Sequence, residues 1–264
     1  MNRGSIDWSD VDDEALFRLV AASENLASVE TVMNQLTVDH NWTEVVLELV
    51  RNGKLETRCF IRWLAETLKP ETYLEIGVRR GFSMSMVASA VQDVQIYGFD
   101  MWLKGYAGSE NPGPDYVRSE LAGIGYTGSP VFLSGNSHQT LPAFFSDPSS
   151  GWLRRRRMDR LAPGRPELLD LMLVDGDHSL LGAYQDLMDT LPHLSVGGVL
   201  VFDDITPDPS YVDSVETKNE AGDDPHGWMD LLGVWRHAIV QFPSYRSIEY
   251  ATNTPGVALA VRLA

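Results

Sequence analysis

One cysteine, Cys59, occurs in 264 residues, which excludes an intramolecular disulfide and a multi-cysteine zinc site. Apolar runs are short. None reaches the roughly 20 residues that a membrane-spanning helix requires. Basic side chains are scarce, 21 against 37 acidic ones, for a formal net charge of −16. A surface of that sign repels phosphate, so neither nucleic acid nor an anionic membrane is an expected partner. Internal repeats are missing, and low-complexity sequence is confined to Arg154–Arg157. The first residues turn acidic at Asp10, Asp12, Asp13 and Glu14, unlike a secretory signal, so a cytoplasmic location is expected. What is present, 44 % apolar and 22 % charged residues, is the composition of a folded globular chain.

The order of local patterns divides the chain near residue 68. Residues 1–68 read as helical, with apolar positions at helical spacing in Val11–Ala22, Thr43–Arg51 and Thr57–Leu68, the last stopped by Pro70. They form an expected helical extension, serving as an added layer, a lid or a dimerisation element. Residues 69–264 form the expected main domain. There, β-rich runs (Thr72–Ile76, Gln95–Phe99, Pro130–Leu133, Leu171–Val174, Gly198–Phe202) alternate with helical stretches, among them Ser83–Val91 and Gly182–Leu194. That alternation predicts an α/β fold with a mostly parallel sheet covered on both faces. The runs Arg246–Tyr250 and Val257–Leu263, joined through Asn253-Thr254-Pro255-Gly256, predict an antiparallel hairpin at the sheet edge. Trp228, Leu231, Leu232 and Trp235 recur at helical spacing and are expected to cover the sheet, and Met84 and Met86 to pack in the core. Long loops at 103–116, 148–167 and 205–227 read as lids or binding loops.

Two segments carry chemistry. In Tyr73-Leu74-Glu75-Ile76-Gly77-Val78-Arg79-Arg80-Gly81-Phe82-Ser83, a strand runs into a glycine-bracketed turn and then a helix. Gly77 permits a sharp turn and close ligand approach. Gly81 and Ser83 open the helix, whose free amides receive a carboxylate or phosphate, with Arg79 or Arg80 beside them. Asp100 ends the next strand, where a carboxylate can take both hydroxyls of a ribose. The spacing is E-x-G-x-x-x-G, not the G-x-G-x-x-G of a dinucleotide fold, which argues against a nicotinamide enzyme. The second segment pairs Asp175-Gly176-Asp177-His178 with Asp203-Asp204, at the ends of strands expected to be neighbours. So many acids in one cleft require a cation or shared protons, and hard oxygen donors suit Mg²⁺, Ca²⁺ or Mn²⁺. Helix capping by Asp203-Asp204 and a structural hydrogen bond from His178 are the alternative uses of these residues.

Together these segments resemble the class I S-adenosylmethionine-dependent methyltransferases over roughly residues 70–264, and most closely the branch of macrocin-type sugar O-methyltransferases and cephalosporin hydroxylase-like proteins. The catechol and caffeoyl-CoA O-methyltransferases are more distantly similar. The resemblance implies a Rossmann-like, seven-stranded sheet. It implies cofactor contacts at Glu75, Gly77, Gly81, Ser83, Asp100, Met101, Trp102, Asn136, Ser137 and Asp175, with Gly135-Asn136-Ser137-His138 flanking the adenine. It places a divalent metal, Mg²⁺, on Asp175, Asp203 and Asp204. Asp177 matches a carboxylate proposed as base, and His178 stands where the catechol enzymes carry a catalytic lysine, so the base is Asp177 or His178. The implied reaction is methyl transfer to a hydroxyl of a small molecule, a sugar or natural-product intermediate; the added N-terminal helices are compatible with a homodimer or higher homo-oligomer. A hydroxylase-like protein or a non-catalytic cofactor-binding partner is the competing reading. Arg154–Arg157, with Arg160 and Arg165, is expected to be a solvated run, and His226 an ordinary loop residue.

Overall fold

The computed structural model describes residues 11–36, 54–105, 111–146, 165–205, 231–251 and 256–264, with residues 6, 8, 48 and 52 singly. Among the described residues, the helices α1 (Asp13–Val20), α2 (Ser23–Gln35) and α3 (Thr57–Leu68) precede the sheet. Then follow β1 (Thr72–Ile76), α4 (Phe82–Ala90), β2 (Gln95–Asp100), α5 (Pro114–Gly123), β3 (Val131–Ser134), α6 (Ser137–Phe144), β4 (Leu169–Val174), α7 (Leu180–Thr190), β5 (Leu194–Phe202), α8 (Leu231–Ile239), β6 (Tyr245–Tyr250) and β7 (Val257–Arg262). The described strands form one seven-stranded sheet in the order β3-β2-β1-β4-β5-β7-β6. The first five are parallel, and β7 pairs antiparallel with both β5 and β6. The expected architecture and edge hairpin are therefore present, and no described helix is long and apolar enough to cross a membrane.

Alternation along the strands builds two cores. Val199 and Val201 of β5 join Tyr73, Leu171, Leu173, Leu259 and Val261 on one face, under α1 to α5. Leu200 and Phe202 join Leu74, Ile76, Met172, Ala258 and Ala260 on the other, under α6, α7 and α8. Successive strand residues point to opposite faces, so a strand covered on both reads as an unbroken apolar run. Helix α4 packs along α3, which itself meets β5, and Ser83 through Ala88 of α4 are all buried. The N-terminal helices are thus a layer on the sheet: Leu16, Val20, Val29 and Met33 belong to the same core as the strands. Phe17, Phe60 and Tyr250 form an aromatic triangle with ring centroids 4.7 to 6.2 Å apart. Arg246 of β6 bonds Asp13 Oδ1 at 2.7 Å and also reaches the carbonyls of Trp8 and Val11.

Local departures from expectation have identifiable causes. Helix α1 starts at Asp13, because the Asp12 side chain caps it by accepting the Ala15 amide at 2.9 Å. Helix α7 covers Leu180–Thr190, not Gly182–Leu194: Ser179 caps its start, and Pro192 turns its end into a 3₁₀ turn over Leu191–His193. Strand β5 begins at Leu194, four residues before the expected start. The Gly197-Gly198 pair that depresses strand propensity is accommodated by Gly197 at φ +80° and a shift of register opposite β4. Helices α2, α5 and α6 were not expected. Pro114 at the start of α5 is a favoured first helical position, and α5 removes three residues from the anticipated 103–116 loop. The expected helix Thr43–Arg51 (apart from Glu48), Trp228, His226, Arg154–Arg157 and Arg160 lie outside the described residues. Arg165 donates from Nε to the Phe144 carbonyl at 2.6 Å. Trp235 stacks on Phe202 at 5.9 Å and donates to Ser247 Oγ at 3.0 Å, so α8 does cover the sheet.

Candidate functional site

Strand order reverses between β1 and β4, the position where open α/β sheets take ligands. Ile76, Val174 and Phe202 are aligned across β1, β4 and β5, so Gly77, Asp175 and Asp203 leave the sheet side by side. Gly77 has φ +87°, and a Cβ there would stand 1.7 Å from the Asp175 carbonyl oxygen. Only glycine lets the β1 and β4 turns approach so closely. Gly81, at φ +75°, caps α4, and a Cβ on it would meet Val117 Cγ1 at 2.5 Å.

Asp100 locks this turn. Its Oδ2 accepts the Arg79 amide at 2.8 Å, while Oδ1 accepts the Trp102 amide at 2.5 Å and the Asn111 side-chain amide at 3.1 Å. Arg79 and Trp102 sit at φ +49° and +56°, a left-handed backbone that is costly for such residues and gathers at functional sites. The Trp102 indole is committed to β3, donating to Ser134 Oγ at 3.0 Å and packing edge-on against Phe132 at 5.8 Å. Met101, 52 % exposed, lines the adjoining cavity, whereas Trp102 is not among its lining residues. That cavity, about 270 Å³, runs from Asp100, Met101, Asn136 and Ser137 to Asp175, Asp177 and His178. Asn136 caps α6 by accepting the His138 amide at 2.9 Å.

A second cavity of about 60 Å³ shares Gly77, Arg79 and Asp175 with the first and adds Arg58, Glu75, Arg80 and Ser83. Glu75 is buried and accepts the Tyr73 hydroxyl at 2.7 Å. Burial, and secondarily Asp175, hold its carboxyl well above the usual range, although Tyr73 and Arg58 pull it down. Arg58, at the start of α3, pairs with Glu56 and feels Asp203 and Asp175, and these acids hold its guanidinium charged despite burial. Neither Arg58 nor Tyr73 was singled out from sequence. The apolar spacing around Arg58 identifies a helix but does not place its N-terminus against β1 and β5.

His178 Nε2 lies 3.0 Å from Asp204 Oδ2 and 3.4 Å from Asp175 Oδ1. Among the described residues, this is the group of His, Cys, Asp and Glu whose donor atoms converge within 4.8 Å. A single cation can bridge such a span, and two carboxylates with one imidazole form a chemically suitable set. Asp203 stands outside it: its Oδ1 accepts the Asp204 amide at 2.8 Å. Burial first, then Asp204 and Asp175, raise its carboxyl well above the ordinary range. Asp175 is raised by burial and by Asp204, against the pull of His178. Asp204 occupies φ +59°, so this corner also carries backbone strain. Asp177 accepts the Ser179 amide at 2.8 Å on Oδ1, and its Oδ2 faces His138 Nε2 at 3.7 Å. The structure thus separates the two candidate bases: His178 stands with Asp175 and Asp204, Asp177 with the α7 turn.

A methyltransferase-domain family model matches residues 74–205, from β1 to the residue after Asp204 and half of the chain. No curated protein matches the chain. Among solved structures, the O-methyltransferase from Bacillus cereus in complex with SAH is similar over 91 % of each chain, with 16 % identity and a TM-score of 0.52. The O-methyltransferase TomG from Streptomyces achromogenes, involved in tomaymycin synthesis and solved with SAM, is similar over 92 % of this chain and 91 % of its own, with 17 % identity and a TM-score of 0.50. At these identities the likeness is one of fold.

Proposed function

Because the chain belongs to this methyltransferase-domain family, we propose that it transfers a methyl group from S-adenosylmethionine to a hydroxyl of a small molecule. The observation that carries this reading is the convergence of Asp175, His178 and Asp204 at one end of a cavity whose other end holds Asp100, Met101 and Asn136. The ribose and adenine belong at the Asp100–Asn136 end. The methionyl group belongs in the smaller cavity, its ammonium toward Glu75 and Asp175, its carboxylate toward the arginines and the start of α4. This arrangement aims the sulfonium methyl at His178.

Methyl transfer is an in-line displacement, so the protein's tasks are alignment and removal of the acceptor's proton. His178 takes that proton, and the imidazolium formed is stabilised between Asp175 and Asp204, as a carboxylate stabilises histidine in hydrolase triads. Asp177 is the weaker candidate because its carboxylate serves the α7 turn. A divalent cation, magnesium by the oxygen-rich donor set, would be held by Asp175 and Asp204 in place of their support of the imidazolium, and would lower the pKa of a bound hydroxyl directly. Asp203, engaged by the Asp204 amide, backs that pair. A sugar or natural-product intermediate is the acceptor class proposed, in keeping with the sequence resemblance and with the role in tomaymycin synthesis stated for TomG.

Calorimetric titration with S-adenosylhomocysteine, with Mg²⁺ and with a chelator, tests both parts. The expected result is cofactor-product binding by wild type and by Asp204→Ala, with a separate Mg²⁺ site lost only in the variant. Binding without any Mg²⁺ site leaves the chemistry to His178 alone. Absence of S-adenosylhomocysteine binding by the folded protein overturns the assignment.

A further inference from the structure

Beneath the cleft lies a second histidine–carboxylate cluster that this reaction does not use. Asp186, in the middle of α7, is 0 % exposed. His138, in the first turn of α6, directs Nε2 toward Asp186 Oδ1 at 3.5 Å and Asp177 Oδ2 at 3.7 Å. Two glycines make room for these carboxylates. A Cβ on Gly176 would come within 3.1 Å of Asp186 Oδ2, and one on Gly182 within 2.0 Å of Asp177 Oδ2. Burial pushes the Asp186 carboxyl up to about 6, while the Ser137 hydroxyl, His138 and the Asp177 amide pull it down. A buried carboxyl costs free energy that an apolar residue in the same helix position avoids. Neither Asp186 oxygen nor His138 Nε2 makes a hydrogen bond of ordinary geometry, so the imidazole 3.5 Å away is the contact that offsets this cost; Ser137, next to His138, and Asp177, facing it, both line the 270 Å³ cavity.

We propose that Asp186 is a positioning residue that, through His138, which faces both it and Asp177, holds the first turn of α6 against the Gly176–Asp177 turn and so fixes the separation of these two parts of the cofactor cleft. The proposal rests on that cleft being the cofactor site. The α6 wall flanks the adenine end and the β4–α7 wall carries Asp175 and His178. A tie between them sets the distance from the bound nucleoside to the acceptor side. Neither Asp186 nor His138 touches the reactants.

The test compares S-adenosylhomocysteine titration and thermal melting for wild type, Asp186→Asn, Asp186→Leu, His138→Ala and His138→Gln. Asp186→Leu is expected to weaken binding about tenfold, the size of one lost charge-assisted contact, while still melting cooperatively. His138→Ala is expected to weaken binding. His138→Gln, whose amide N–H reaches the same carboxylates, is expected to restore it. Combining Asp186→Asn with His138→Ala should cost no more than the worse single change, since both break one tie. The milder Asp186→Asn and His138→Ala keep the test open should Asp186→Leu fail to fold. Variants that bind like wild type while melting at lower temperature overturn the proposal and leave Asp186 a purely structural group. A wild-type protein that does not bind S-adenosylhomocysteine overturns the cofactor reading, and this proposal falls with it.

Discussion

Two clusters of the same composition, one imidazole with two carboxylates, lie about the β4–α7 turn and differ in that one holds a fully buried carboxylate, Asp186. His178 stands with Asp175 and Asp204, whose side chains are 27 % and 19 % exposed. His138 stands with Asp177 and the fully buried Asp186. The upper set opens into the cavity, so its protons can pass to and from a ligand. In the lower set His138 and Asp177 keep 20 % and 31 % of their side-chain surface, and Asp186 alone is fully buried, away from the cavity. The proposed roles, reaction for the upper set and positioning for the lower, therefore turn on one residue, the buried Asp186, and not on a difference in exposure of the whole cluster.

The sharpest way to break the comparison is to remove each imidazole in turn. His178→Ala is expected to lower turnover of an acceptor found by screening hydroxylated molecules by about 10²- to 10⁴-fold, the usual worth of a positioned base. S-adenosylhomocysteine binding should stay near wild type. His138→Ala should do the reverse, shifting cofactor affinity more than the chemical step. Single-turnover rates and calorimetric constants for the two variants measure both quantities. Equal effects of the two substitutions on both would erase the distinction.

A smaller effect separates the clusters by pH. The Asp186 carboxyl, pushed up to about 6 by burial, holds its proton more tightly in the folded than in the unfolded chain, where a carboxyl of this kind titrates near about 4. Folded protein thus binds more protons than unfolded protein across that window. Its contribution to stability is complete below about pH 4 and is lost as the pH rises through about 6. At roughly 1.4 kcal/mol per pH unit, the loss is on the order of 3 kcal/mol. Asp186→Asn does not titrate, so the difference between the urea-unfolding free energies of wild type and variant should slope between pH 4 and 6 and be flat above 7. A difference independent of pH would mean that Asp186 keeps its ordinary pKa.

The parts of this molecule that were legible in the sequence are those with short-range causes. The strand–glycine–helix turn, the Asp100 strand end and the Asp175–His178 and Asp203–Asp204 pairs depend on spacing and on which residues end a strand, and all lie at the C-terminal edge of the sheet as expected. What escaped depends on tertiary placement. Arg58 belongs to an ordinary amphipathic helix until α3 is laid against β1 and β5. Asp186 reads as one more polar residue in α7 until α6 closes over it. The bond from the Trp102 indole to Ser134 Oγ is invisible until β3 is laid beside β2. Adjacent acids such as Asp203 and Asp204 read as equivalent ligands, yet a strand end sends neighbours in different directions, and only Asp204 meets His178. Helices α2, α5 and α6 were missed because their apolar faces are narrow, and the interior Pro142 of α6 argues locally against a helix.

An ion pair in water supplies the scale for both clusters. Arg236 of α8 and Glu249 of β6 make a two-pronged pair, with Arg236 Nη2 at 2.6 Å and Nε at 3.2 Å from Glu249 Oε2. The arginine side chain is 61 % exposed. Its solvent access makes the desolvation cost small, and screening makes the attraction small as well. Arg236→Ala should therefore cost about 1 kcal/mol or less in urea unfolding, shrink further as salt is raised, and leave S-adenosylhomocysteine affinity unchanged. A cost as large as the roughly 3 kcal/mol expected from titration of Asp186 would contradict the reading of this pair as screened by solvent.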